Sequence, residues 1–144
     1  MTDPNRVFRI AVYQALNGNL TDIDGNPVGI FDEVAENPGN AYVLLSTQTS
    51  SQRGTFNGFL HDCTILLQII DKETIFVTKE FIDDIGTKIM QILMPNQADG
   101  LVQQTGFQIN CLQVESMNSN DAQLTDSTTI VRKLLRLSAK ICQT

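Results

Sequence analysis

Apolar residues change their spacing along this 144-residue chain, from helical to alternating, back to helical, then to alternating again. That order restricts the chain to a mixture of helices and strands whose apolar faces must meet in one core. Asp3-Pro4 supplies an N-cap and a proline for the first helical position, and Phe8, Ala11, Val12 and Ala15 follow at helical spacing until Gly18. This predicts a helix over 4–17. Residues 17–27, rich in Asn, Asp and Gly, read as a loop, and 28–34 as a short strand ending at the turn signal Glu36-Asn37-Pro38-Gly39-Asn40.

Two strands are expected next, over 41–48 and 61–70. The second carries Cys63, Ile65, Leu67 and Ile69 on one face, with Leu66 and Ile70 opposite, so cover on both sides is expected in part. Between them, 46–58 is small and polar except for Phe56 and reads as a loop too long for a tight hairpin turn. Phe81, Ile82, Ile85, Ile89, Ile92 and Leu93 repeat at three and four, with Pro95 beyond, which predicts a second helix over 79–94.

After a turn at 96–100, Phe107, Ile109 and Cys111 alternate, and the phase then shifts to Leu112 and Val114, as one bulged residue would produce. Residues 117–127 read as a second polar loop. The segment 128–141 fits two descriptions. As a strand it sets Val131, Leu135, Leu137, Ala139 and Ile141 against Arg132, Arg136, Ser138 and Lys140; as a helix it groups Ile130, Val131, Leu134, Leu135, Ser138 and Ile141. The expectation is an α+β fold, with an antiparallel or mixed sheet of about four to five strands flanked by two α-helices. The length fits a single domain over 1–144.

Charge narrows the partners. Ten basic residues against sixteen acidic ones leave a net charge of −6, which disfavours specific binding of a phosphate backbone. All sixteen acids lie at or before Asp126. Residues 1–127 hold six of the basic residues and carry −10, and residues 128–144 hold the other four and carry +4. That polarity suits head-to-tail contact between like subunits, with the basic C-terminal segment against the acidic body of the next copy; a solvated face is the plainer reading. Cys63, Cys111 and Cys142 are odd in number and far apart, so no disulfide framework is expected. Each sits among apolar neighbours and reads as a buried small hydrophobe. No apolar run is long enough to span a membrane, and the N-terminus has no signal-peptide pattern; the expectation is a protein kept in a reducing cytoplasm, without a membrane partner.

Candidate chemistry is sparse. His61, the one histidine, has no serine elbow, phosphate loop or zinc-ligand cluster beside it, and reads as a residue that caps or flanks a strand. Asp83 with Asp84, or Asp32 with Glu33, could be drawn as catalytic carboxylates, although neighbouring acids on exposed faces explain them as well. Asp22, Asp24, Asn26 and Glu33 fall at calcium-loop positions one, three, five and twelve. Pro27, however, stands where the sharp turn needs Gly, so a turn before a strand is the better reading. No catalytic residue, metal or cofactor is expected.

The whole pattern resembles the tail-completion or tail-terminator proteins of tailed bacteriophages, relatives of the head–tail joining proteins. The matching stretches are the helix ending at Ala15-Leu16-Asn17, then Val28-Gly29-Ile30-Phe31-Asp32-Glu33-Val34, and Ala41-Tyr42-Val43-Leu44-Leu45. The match continues through the Ser/Thr/Gln-rich segment into Cys63-Thr-Ile-Leu-Leu-Gln-Ile-Ile70, the helix over 81–93, the strand over 107–114 and the basic-apolar C-terminal run. The resemblance implies a sheet flanked by two helices, with 128–141 as a strand, and no enzymatic activity. It also implies a virion protein, made in the host cytoplasm, that forms a homo-oligomeric ring at the head–tail junction. A hexamer is favoured and a dodecamer is the other form. The ring would cap the tail tube protein and dock the head-completion or connector protein, with DNA crossing its lumen without specific binding.

The residues expected at assembly interfaces are Gln52, Arg53 and Phe56, an Arg-plus-aromatic anchor in the polar segment, and the basic Arg132, Lys133, Arg136 and Lys140. Two other readings remain open from sequence. One is a collar or ring protein at the portal vertex of a short-tailed phage. The other is a small cytoplasmic ligand-binding or enzymatic α+β domain, which would need a concave apolar pocket with converging polar groups.

Overall fold

The protein is described by a computed structural model over residues 3–33, 41–55, 58–73, 79–94, 106–119, 123–125 and 128–143. Helix α1 spans Pro4–Leu16, and the Asp3 side chain accepts a hydrogen bond from the Asn5 amide at 3.0 Å, the expected N-cap. Strands β1 (Gly29–Phe31), β2 (Ala41–Thr55) and β3 (Gly58–Glu73) precede helix α2 (Lys79–Leu93). Strands β4 (Phe107–Ser119), β5 (Gln123–Thr125) and β6 (Thr128–Gln143) follow it. The sheet runs β1-β2-β3-β6-β4, with β5 paired to β6; β1 lies parallel to β2 and the other pairs are antiparallel. This is the α+β fold with a mixed sheet that the apolar periods predict.

Both helices cover one face. Ile30, Val43, Leu45, Ile65, Leu67, Ile69, Leu135, Leu137 and Ile141 turn toward them and join Phe8, Ala11 and Val12 of α1 and Ile82, Ile85 and Ile89 of α2 in one buried cluster. Burying a side chain of this size contributes about 1.5 to 3 kcal/mol. Gln48 ties α1 to β2: its Nε2 donates to the Asn5 carbonyl at 2.7 Å, and its Oε1 accepts from Arg9 Nη1 at 3.4 Å.

Two sequence expectations change, and the strand that the resemblance implies over 128–141 is present. The 46–58 loop is the continuation of β2 through Thr55 into a long hairpin, paired from Gln48↔Ile65 to Thr55↔Gly58. Its Ser, Thr and Gln residues lack an apolar alternation because main-chain pairing with β3, not burial, holds the outer half of the strand. The 117–127 loop likewise contains the end of β4 and all of β5, both paired to β6. The segment 128–141 is a strand, and β6 sits between β3 and β4. Helical periodicity fitted it equally well because strands covered by helices on one face and partly buried on the other lose strict alternation.

The expected bulge in β4 is present. Asn110 pairs with Lys140 and Gln113 with Ser138, so Cys111 and Leu112 together oppose Ala139, and Cys111 has φ of 56°. This backbone turns Cys111 outward, which corrects its expected burial: Cys111 is exposed and Cys142 half-buried, and only Cys63 is fully enclosed. His61, expected at a strand margin, lies inside β3 on the helix-facing side and is buried.

Candidate assembly interface

The sheet face away from the helices carries the even-numbered residues of β3 and β6. Across it, Tyr42, Ile70 and Arg132 stand in one row, and Leu44, Gln68, Leu134 and Asn118 in the next. Toward the β2–β3 turn the rows become polar: Thr49, Thr64, Ser138 and Gln113, then Ser51, Asp62, Lys140 and Asn110. No described helix lies over this face. Only its polar end is open: at the apolar end Tyr42 and Ile70 are buried, the Phe31 and Tyr42 rings meet edge-on with centroids 6.2 Å apart, and the Lys72 ammonium lies 5.6 Å from the Tyr42 ring.

The expected interface residues divide into three places. Gln52 and Arg53 lie on β2 near the hairpin turn, opposite His61 and Leu60, and Gln52 is exposed. Phe56 lies outside the described residues. Arg132, Arg136 and Lys140 stand on the open face. Arg132 is half-buried, and its Nε is enclosed without a hydrogen-bond partner among the described residues. Lys140 stands opposite Asp62 on β3.

Lys133 differs from the other three. It points to the helix side, where its Nζ donates to Asp83 Oδ1 at 2.6 Å. The basic C-terminal segment is therefore an interior strand, with acids of the body already beside it, and the charge polarity of the sequence is partly neutralised within one copy. Periodicity could have signalled this, since Lys133 shares its parity with Val131 and Leu135.

Of the two drawn carboxylate pairs, Asp32 and Glu33 are exposed at the end of β1, and Asp83 and Asp84 are engaged by lysines. Asp83 holds Lys133, and Asp84 Oδ2 pairs with Lys88 Nζ at 3.0 Å. Lys88 donates further to the carbonyls of Thr21 and Asp22, which pins the 17–27 loop to α2. Within that loop Asp22 Oδ1 accepts from the Asp24 and Asn26 amides, both at 2.9 Å. The would-be calcium ligand is an Asx turn whose carboxylate serves its own backbone, and no group of metal-ligating side chains forms among the described residues.

A depression of about 510 Å³ lies between α1 and the edge strand β1, lined by Arg6, Arg9, Tyr13, Phe31 and Asp32 among others. A second, of about 400 Å³, lies on the open face around Asp62, Thr64, Cys111, Glu115 and Lys140. Neither contains His61. No described helix is long and apolar enough to cross a membrane.

No protein-family model and no curated protein matches this chain. Among solved structures, a chain of the particle described as "Virion of native gene transfer agent (GTA) particle" shares the fold with a TM-score of 0.59 at 15% identity. The match covers 95% of this chain and 96% of that one. The likeness therefore extends over the whole arrangement of helices and strands and is not confined to one hairpin.

Proposed function

We propose that this chain is a structural protein of a tailed-phage-like virion, acting as a ring at the head–tail junction that caps the tail tube and docks it to the head connector. The observation that carries the reading is the end-to-end fold likeness to a chain of a gene transfer agent virion, joined to the sequence resemblance to tail-terminator proteins. The physical form suits the role. A ring subunit must present different surfaces to its neighbours above, below and beside it, and this fold offers a helix-covered face, an open face and a long hairpin.

In this reading Gln52, Arg53 and Phe56 at the hairpin, with Arg132, Arg136 and Lys140 on the open face, contact the other virion proteins, namely the tail tube and head-completion proteins. Lys133 belongs to the interior of the subunit. The ring is homo-oligomeric, a hexamer or a dodecamer, and the body's acidic charge lets DNA pass through the lumen without adhering.

The test is gold-labelled antibody against this protein on particles from a producing lysate, imaged by electron microscopy. Label confined to the head–tail junction is expected. Label absent from both intact and denatured particles would overturn the proposal.

A further inference from the structure

The strand registers set the two outer edges of the sheet on common rows. Leu45, Leu67, Leu135 and Met117 form one row across β2, β3, β6 and β4; Gln48, Ile65, Leu137 and Val114 form a second, and Thr49, Thr64, Ser138 and Gln113 a third. β1 covers the outer edge of β2 only at Tyr42, Val43 and Leu44, and among the described residues no strand pairs with the rest of that edge or with the outer edge of β4. An edge strand presents main-chain N–H and C=O groups that template a further strand, and neither 45–52 nor 110–117 contains the Lys or Pro that commonly blocks such pairing. Between the first row and the second, each edge carries two residues, Ser46 with Thr47 on β2 and Glu115 with Ser116 on β4, where β3 and β6 carry only Leu66 and Arg136. A lone bulge discourages edge pairing, but these two lie at the same height.

We infer that the sheet continues from copy to copy: residues 45–49 of β2 in one copy pair antiparallel with 113–117 of β4 in a second copy, so that Leu45 meets Met117, Gln48 meets Val114 and Thr49 meets Gln113. This rests on the ring reading and supplies its subunit contact. Direction agrees. β2, β3, β6 and β4 alternate, so β2 and β4 run oppositely, and copies related by rotation about an axis along the strands bring them together antiparallel, with the helix-covered faces on one side. Height agrees as well, because a closed ring allows no translation along its axis and both free edges occupy the same rows. Since each edge inserts its extra residue at that height, five consecutive residues face five without a slip of register. The side chains follow. Met117 lies on the helix side and is 49% exposed; in this pairing it comes beside Leu45, which with Ile10 and Tyr13 lines the depression between α1 and β1. Thr49 and Gln113, both exposed, meet on the other face.

Disulfide trapping in assembled particles tests this. Thr49→Cys with Gln113→Cys, in a Cys111→Ser and Cys142→Ser background, sets two thiols three strand spacings apart within one copy, about 14 Å. That is too far to bridge, so a bond between them joins two copies. A ladder of dimers and higher multimers on non-reducing gels is expected from the double-cysteine protein and from neither single-cysteine protein. A cross-link from Gln113→Cys alone would mean that β4 pairs with β4 about a twofold axis, and would overturn the proposal. If the double variant does not assemble, wild-type particles decide: main-chain hydrogen exchange over 45–52 and 110–117 should be about tenfold slower, or more, than in the dilute purified chain. No ladder from assembled particles, or unchanged exchange at both edges, would overturn this pairing while leaving the ring reading standing. Particles that lack the protein would overturn both.

Discussion

Lys133 on β6 and Asp83 on α2, fifty residues apart in sequence, meet at 2.6 Å, and the lysine stem reaches the carboxylate by crossing α2 at Gly86. A Cβ at Gly86 would lie 3.3 Å from both Cδ and Cε of Lys133 and 3.6 Å from Ile69 Cδ1. The helix therefore lacks a side chain where a strand residue has to pass over it.

This coupling gives a double-mutant prediction. Gly86→Ala should change stability little in the wild type, because the helix-propensity gain of about 1 kcal/mol is offset by displacement of Lys133. In a Lys133→Ala background the same change should stabilise by about 1 kcal/mol. Urea unfolding of the four proteins measures the difference. Asp83→Asn alone should cost no more than about 1 kcal/mol, since Asp83 is half exposed and its ion pair is screened.

The Cys63 thiol is pushed up to about 11, first by burial and then by the charges of Asp62 and Asp3. The folded state therefore keeps this proton when the unfolded chain has lost it. The associated stability is fully present below the unfolded thiol value of about 8.5 and is lost as pH rises through about 11. Relative to Cys63→Ala, the wild type should lose stability more steeply between about pH 9 and 11. Parallel pH-dependent slopes for the two proteins would contradict this.

Cys111, by contrast, should be the first thiol to react with a disulfide reagent at neutral pH, because it is exposed on the bulge. Its positive φ also predicts that Cys111→Gly stabilises the protein by about 0.5 to 1 kcal/mol, by relieving a left-handed conformation that costs a residue with a Cβ. Thiol titration by mass spectrometry and thermal unfolding check the two statements.

Lys88 joins the Asx-turn loop to α2 through the Thr21 and Asp22 carbonyls and the Asp84 carboxylate. Lys88→Met keeps most of the stem and removes those bonds. It should cost about 1 to 3 kcal/mol and raise amide hydrogen exchange in the 17–27 loop more than in β3. Unchanged exchange in the loop would show that its own turn bonds suffice.

For the hairpin, Arg53→Glu combined with Phe56→Ala should leave the chain folded, as read by circular dichroism, and still prevent particle assembly. Normal particle yield from this variant would remove the hairpin from the assembly surface.

The sequence alone determined both helices, the core strands and the bulge, because each writes its own local signal. Phe8, Ala11, Val12 and Ala15 repeat at the helical period, Cys63, Ile65, Leu67 and Ile69 alternate, and the phase slip after Cys111 marks an extra residue. It also exposed the Asx-rich turn at Asp22, whose bonds are local. Tertiary structure alone decided the outer half of β2, the end of β4 and the placement of β6. Those strands are held by backbone pairing with distant partners, which leaves no pattern in Ser, Thr and Gln side chains. The candidate surfaces follow the same division. The four basic residues near the C-terminus fall within nine positions of the sequence, yet the twofold alternation of a strand sends Lys133 to Asp83 under the helix and Arg132, Arg136 and Lys140 to the opposite face. Charge along a chain records composition; which charges meet is set by the sheet register and by the helix laid across it.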